Sequence, residues 1–185
     1  MRTVTVGGLP GTGTSTLCRL LADKLQLPYT YAGALFREEA KRRGMSIAEF
    51  GALCQKDPSI DEALDDRQIF LLKRGNLILE GRLSGWLAQR HKVNALKVWV
   101  VCEEKERLRR IVQRDGGDLA TQAEATWARE QSEADRYRRY YGVDLKETGF
   151  YDLVLDSTNE TPEQLIGRIQ ARLAESQVGT TGKAP

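Results

Sequence analysis

The sequence predicts an α/β fold: a parallel β-sheet covered by helices on both faces, with a helical insert after the second strand. Three observations carry that expectation. Short β-rich runs alternate with amphipathic stretches along the chain. A glycine-rich segment, residues 7–13, joins the first of these runs to a helical pattern. Residues 33–75 contain helical patterns and no strand candidate. At 185 residues the chain is most simply one domain, long enough to bury a sizeable core.

The β-rich runs are residues 3–6, 28–31, 77–79, 96–101 and 153–155. Val4 and Val6 lead into the glycine-rich segment, and Leu17, Leu20, Leu21 and Leu25 follow it at helical spacing. Within the insert, Ser46-x-x-Glu49 and Ser59-x-x-Glu62 both read as capping boxes, which gives three short helices. Residues 103–114 put Leu108, Ile111 and Val112 on one side of a helix. Asp115-Gly116-Gly117-Asp118 then makes a short hinged turn, and a long helix runs to Tyr141. Thr161 caps the last helix with Pro162 at its first position. Residues 1–176 therefore form the domain, and the Gly/Thr-rich end, 177–185, is expected to fray.

Composition bounds the function. A net charge of +2 is too small to indicate a nucleic-acid binder; basic residues cluster locally instead, in 105–114 and 129–139. Cys18, Cys54 and Cys102 are odd in number and lack C-x-x-C spacing, as expected of reduced thiols in a cytoplasmic protein. No apolar run is long enough to span a bilayer, and the chain enters a strand directly, without a signal peptide. His91, the only histidine, sits in a charged turn and reads as solvated. Trp86, Trp99 and Trp127 read as packing residues. No His/Cys cluster offers a structural metal or a catalytic triad.

The glycine-rich segment carries the chemistry. Residues 8–16 are Gly8, Leu9, Pro10, Gly11, Thr12, Gly13, Thr14, Ser15 and Thr16. They follow the phosphate-loop pattern G-x-x-x-x-G-K-[ST] except that Thr14 stands where lysine belongs. A strand-to-helix setting lets backbone N–H groups and a helix N-terminus hold a polyphosphate, and glycines let the chain approach it closely. Ser15 supplies the hydroxyl expected on Mg²⁺. The missing ammonium leaves a deficit of positive charge at the β/γ-phosphates that another cation has to fill. A glycine-rich turn with no ligand is the plain alternative.

With these features in place, the chain resembles the nucleoside-monophosphate kinases, and within them the archaeal-type cytidylate kinases. The similarity covers almost all of residues 2–173. It rests on the phosphate loop, on Ala32-Gly33-Ala34-Leu35-Phe36-Arg37 and on Glu80-Gly81-Arg82-Leu83-Ser84-Gly85-Trp86. It rests also on residues 129–137, running from Arg129 to Tyr137, and on Tyr141-Gly142-Val143-Asp144. The resemblance implies a five-stranded parallel core, a monophosphate-binding insert (33–75) and a lid (107–141). Threonine in place of the loop lysine is familiar in this branch.

By the same resemblance, Arg37 and Arg82 grip the acceptor phosphate, a task suited to a planar, always-charged guanidinium. Gly33 supplies the turn before Arg37. Glu80, at a strand end, either holds a magnesium-bound water or pairs with Arg82. The lid contributes Arg110, Arg114, Arg129 and Arg136, which spread positive charge over the transferring phosphoryl group and compensate for Thr14. Arg107 and Arg109 read instead as members of an exposed, ion-paired face. Cytosine needs acceptors beside donors, and Asp61, Asp65, Asp66, Arg67, Gln68 and Ser84 are all candidates, with Asp65 and Ser84 the preferred pair.

The expected activity is ATP-dependent phosphorylation of CMP and dCMP, with Mg²⁺ as cofactor. The protein is expected to be a cytoplasmic monomer, with nucleotides as partners and neither nucleic acid nor membrane. Two alternatives stay open: a related phosphate-loop kinase for another monophosphate or small metabolite, and a nucleotide-dependent switch with little turnover. An acceptor phosphate is already a nucleophile, so the absence of an evident general base fits the first expectation.

Overall fold

A computed structural model describes residues 2–178. Its five strands are β1 (Val4–Gly8), β2 (Tyr29–Tyr31), β3 (Ile78–Glu80), β4 (Leu96–Val101) and β5 (Leu153–Asp156). They form one parallel sheet in the order β2-β3-β1-β4-β5. Parallel neighbours need crossovers, and helices supply them. These are α1 (Thr14–Leu25), α2 (Ala32–Arg42), α3 (Ile47–Lys56), α4 (Pro58–Arg74), α5 (Ser84–Arg90), α6 (Glu104–Asp115), α7 (Leu119–Tyr141) and α8 (Pro162–Val178). No helix among the described residues is long and apolar enough to cross a membrane.

Strand alternation sends successive side chains to opposite faces. Val4, Val6, Ile78, Val98, Val100 and Leu155 pack with Leu17, Cys18 and Leu21 of α1 and with Leu165 and Ile169 of α8. On the other face Leu77 and Leu79 meet Leu83 and Leu87 at α5, Ile69 and Leu72 of α4, and Val143 after α7. Each such buried aliphatic side chain contributes about 1.5–3 kcal/mol. The register brings Val6 level with Glu80, and Glu80 level with Tyr31, at the C-terminal edge of the sheet. Open parallel sheets bind their ligands at that edge.

The sequence expectations for the strands hold to within two residues at each end. Ser46 caps α3 with the full capping box to Glu49. Ser59 does not cap α4. Pro58 starts that helix and Asp57 caps it, with the Ser59 N–H and hydroxyl both donating to Asp57 Oδ1 at 3.0 and 2.6 Å. Thr161 caps α8, exchanging hydrogen bonds with Gln164. The expected tail lies beyond α8, and residues 179–185 fall outside the described residues. Gly116 and Gly117 both adopt positive φ, of 77° and 83°, in the turn between α6 and α7. Trp99 is buried and packs against Tyr151 with the rings tilted at 40°, but Trp127 is 46% exposed on α7, so it is not a packing residue.

Candidate active site

One open cavity of about 1100 Å³ runs along the C-terminal edge of the sheet. That exceeds the roughly 300–1,000 Å³ of a pocket for one small ligand. The phosphate loop forms one end, with Gly8, Leu9, Pro10, Gly11, Gly13, Thr14, Ser15 and Thr16 in its wall. Gly13 takes φ 83° to turn the chain into α1, a conformation that a Cβ would strain. Thr12 is buried, and its side chain braces the loop by donating to the Leu9 carbonyl at 2.8 Å.

Long-range contacts hold the loop from behind. Ser157, just past β5, donates to the Thr12 carbonyl at 2.8 Å. Arg110 Nη2 donates to the Ser157 carbonyl at 2.6 Å, and its Nε to Glu106 at 2.8 Å. Arg107 Nη1 donates to the Pro10 carbonyl at 3.0 Å and pairs with Glu130 of α7. This corrects the expectation of an exposed, ion-paired Arg107: the residue is 5% exposed, because α6 lies against the loop. A Cβ on Gly11 would come within 2.5 Å of the Arg107 carbonyl oxygen. Arg109 is exposed and paired with Glu106, as expected.

Glu80 does not pair with Arg82. Its Oε1 accepts from the hydroxyls of both Thr14 and Ser15 at 2.7 Å, and its Oε2 from the Tyr29 hydroxyl. Burial and the contact with Glu80 raise the pKa of Tyr29, so its hydroxyl stays a donor. Thr14 thus supplies a hydroxyl to the strand-end carboxylate where other loops carry an ammonium.

The opposite end of the cavity is built by α2, α4 and the end of β3. Gly33, Arg37, Arg82 and Asp65 all line it. Arg37 donates to the Tyr31 hydroxyl and lies 5.0 Å from that ring's centroid. Arg82 pairs through Nε with Glu133. Gln68 Nε2 donates to Asp65 Oδ1 at 3.0 Å, which turns Gln68 Oε1 away from Asp65. Three buried acceptors on α4 lack a well-formed hydrogen bond, Asp61 Oδ2, Asp65 Oδ2 and Gln68 Oε1, as does Glu133 Oε2 despite its contact with Arg82. Burial pushes the Asp65 carboxyl up to about 6, although the Tyr141 hydroxyl and Arg136 favour its charged form. Ser84 is misplaced by the sequence reading. It is fully buried and donates to the Gly81 carbonyl at 2.7 Å, so it does not face the cavity. Asp66 and Arg67 are exposed, the latter paired with Glu38.

The four lid arginines all line the cavity but separate into different settings. Arg110 sits beside the loop, its Nη1 3.8 Å from where a Gly13 Cβ would stand. Arg114 forks onto its neighbour Asp115, with both bonds at 2.7 Å. Arg129 reaches Glu133 at 2.9 Å. Arg136 turns towards the insert, 4.0 Å from Asp61. Seven residues of helix separate Arg129 from Arg136 by about 10 Å. The two therefore address different parts of the cavity in this structure.

A sequence model of the cytidylate kinase-like family matches residues 3–159. The chain is 43% identical to a cytidylate kinase of Methanospirillum hungatei over 88% of this chain and 90% of that one. The protein belongs to the cytidylate kinase-like family. A second relative in it, a cytidylate kinase of Methanocaldococcus jannaschii, is 38% identical over 92% of this chain and 96% of its own. Among solved structures, the fold is shared with an uncharacterised protein from Eubacterium ventriosum (TM-score 0.70, 14% identity, covering 92% of this chain and 97% of that one). It is shared also with a shikimate kinase from Bacteroides thetaiotaomicron (TM-score 0.60, 13% identity, covering 94% and 98%).

Within this family member, sequence reasoning missed Arg19, Tyr29, Tyr31 and Glu133. Arg19 lines the cavity from one turn into α1. Tyr31 carried a usable signal, since it ends a short strand at the sheet edge where ligands bind, and Tyr29 begins the same strand. Glu133 carried none: its i, i+4 spacing from Arg129 reads as an ordinary surface pair.

Proposed function

We propose that the protein transfers the γ-phosphoryl group of ATP to CMP, and to dCMP, giving the diphosphates. One observation carries this reading: a single cavity has the phosphate loop at one end and the Arg37 and Arg82 compartment at the other. The family supports the choice of acceptor. The three unsatisfied acceptors, on Asp61, Asp65 and Gln68, favour a base that brings an exocyclic amino donor, as cytosine does and uracil does not.

In the transfer, an oxygen of the acceptor phosphate attacks the γ-phosphorus while the bond to the β-bridging oxygen breaks, and ADP leaves with that electron pair. No proton need be removed from the nucleophile. The loop N–H groups bind the donor phosphates. Arg37 and Arg82 orient the acceptor, and Arg110, Arg114 and Arg129 offset the charge that spreads over the oxygens. Arg136 faces the acceptor nucleoside. Ser15 and Glu80 fit a hard cation, being oxygen donors beside the loop, with Thr14 and Tyr29 fixing the carboxylate. No cluster of three or more His, Cys, Asp or Glu occurs among the described residues. That suits Mg²⁺, which takes most of its ligands from phosphate and water and would neutralise phosphate charge here. The reading includes a cytoplasmic monomer, and the free cysteines suit that compartment.

The test is ADP release measured across CMP, dCMP, UMP, AMP, GMP and shikimate. CMP and dCMP should turn over with UMP on the order of 10² slower, because an unsatisfied buried acceptor costs about 1–3 kcal/mol. Turnover of shikimate without CMP would assign the related-kinase reading. The lysine-free loop favours the switch alternative, and nucleotide binding without turnover of any acceptor would establish it.

A further inference from the structure

We propose that Glu133 is a positioning residue for phosphoryl transfer, holding Arg82 and Arg129 together so that both present their Nη groups to phosphate. The inference rests on the kinase reading above and adds a residue to it. Glu133 lies in the middle of α7, and its two carboxylate oxygens are divided between two elements. Oε2 pairs with Arg82 Nε at the end of β3, and Oε1 accepts from Arg129 Nε at 2.9 Å on its own helix. All three residues line the cavity.

The choice of nitrogen matters. A guanidinium has five N–H donors, one on Nε and four on the Nη pair. A carboxylate that competed with substrate would take the fork that phosphate needs. Here both arginines meet the carboxylate through Nε, Arg129 by a hydrogen bond and Arg82 by a close ion pair whose two atoms make no well-formed hydrogen bond, and among the described residues neither arginine donates a hydrogen bond through Nη. The Arg82 and Glu133 side chains are only 17% and 16% exposed, whereas that of Arg129 is 63% exposed. Two guanidinium groups brought side by side repel each other, and the shared carboxylate offsets that repulsion before any substrate arrives. The phosphate then meets a pair of aligned donors rather than two mobile side chains.

The experiment compares wild type, Glu133→Gln, Glu133→Asp, Arg82→Ala and the Glu133→Gln/Arg82→Ala double variant. Circular dichroism and thermal midpoint establish folding. Glu133→Gln should raise the KM for CMP by on the order of 10-fold to 100-fold, the scale of a slightly misplaced group, with the ATP dissociation constant within about threefold. Glu133→Asp should recover part of the loss. In the Arg82→Ala background, Glu133→Gln should add little to the KM for CMP, because that part of its effect passes through Arg82. A KM for CMP within twofold of wild type in folded Glu133→Gln, or fully additive effects in the double variant, would overturn the proposal. Inorganic phosphate titrated by ³¹P NMR gives a second readout, expected to weaken in Glu133→Gln and contrary to the proposal if unchanged. A wild type that binds phosphate but does not phosphorylate CMP defeats the kinase reading alone, and the phosphate titration still decides the role of Glu133.

Discussion

Asp65 sits in the cavity wall with its carboxyl raised to about 6 by burial, above the ordinary 3.8. For an acid the sign is unfavourable at neutral pH. Between roughly pH 4 and 6 the native state binds more protons than the unfolded chain, so stability falls as pH rises through that window. Asp65→Asn removes the buried charge and keeps an acceptor for Gln68. It should stabilise the protein at pH 7 by on the order of 1–3 kcal/mol and flatten the pH dependence, while raising the KM for CMP. Chemical denaturation at pH 4.5 and 7 checks this, and a lower midpoint at pH 7 would contradict it. Asp65 was one of several polar candidates on the insert helix that chemistry alone did not rank, and the structure places it in the cavity wall. The burial of Ser84 was not legible, because its hydroxyl is consumed by the Gly81 carbonyl three residues back, a local choice that no motif displays.

The elements themselves were legible because their signals are local: alternation in the strands, apolar spacing in the helices, and capping residues or paired glycines at their ends. Even the Ser59 error is local, since Asp57 and Pro58 offered a better start two residues earlier. The packing of α6 against the loop was hidden. Arg107 joins residues about a hundred positions apart, reaching from Pro10 in the loop to Glu130 on α7. Arg107→Ala should cost about 2–3 kcal/mol, because it strands Glu130 and frees the loop carbonyl, and it should weaken ATP binding more than CMP binding. The denaturant midpoint at unchanged slope measures the first effect, and titration with each nucleotide the second. Equal loss for both nucleotides would mean that Arg107 supports the fold and not the loop.

At the scale of the molecule, the register of β3 sets Glu80 level with Val6 of β1 and Tyr31 of β2, at the sheet edge where residues of the loop and of the insert both line the cavity. Strand order could not be read from sequence, since every strand is a short apolar run without a partner-specific mark; the family resemblance implied five parallel strands and not their order. Two compartments imply two separable stabilisations. Either nucleotide at about 100 times its dissociation constant should add about 2.7 kcal/mol to unfolding free energy. In Arg82→Ala the thermal shift from CMP should shrink and that from ATP persist. Loss of both shifts would show that the compartments are not independent.

The cavity wall holds Arg19, Arg37, Arg82, Arg110, Arg114, Arg129 and Arg136 against Asp61, Asp65, Glu80 and Glu133. Its excess of three positive charges is larger than the +2 of the whole chain, so the remaining surface is close to neutral and slightly acidic. The positive excess is therefore concentrated at one mouth. Polyanions approaching from solution are drawn to that mouth over about a Debye length, ~8 Å at physiological salt. Association rates for nucleotides should accordingly fall as salt rises, while dissociation rates change much less, which stopped-flow measurements at several ionic strengths would read directly.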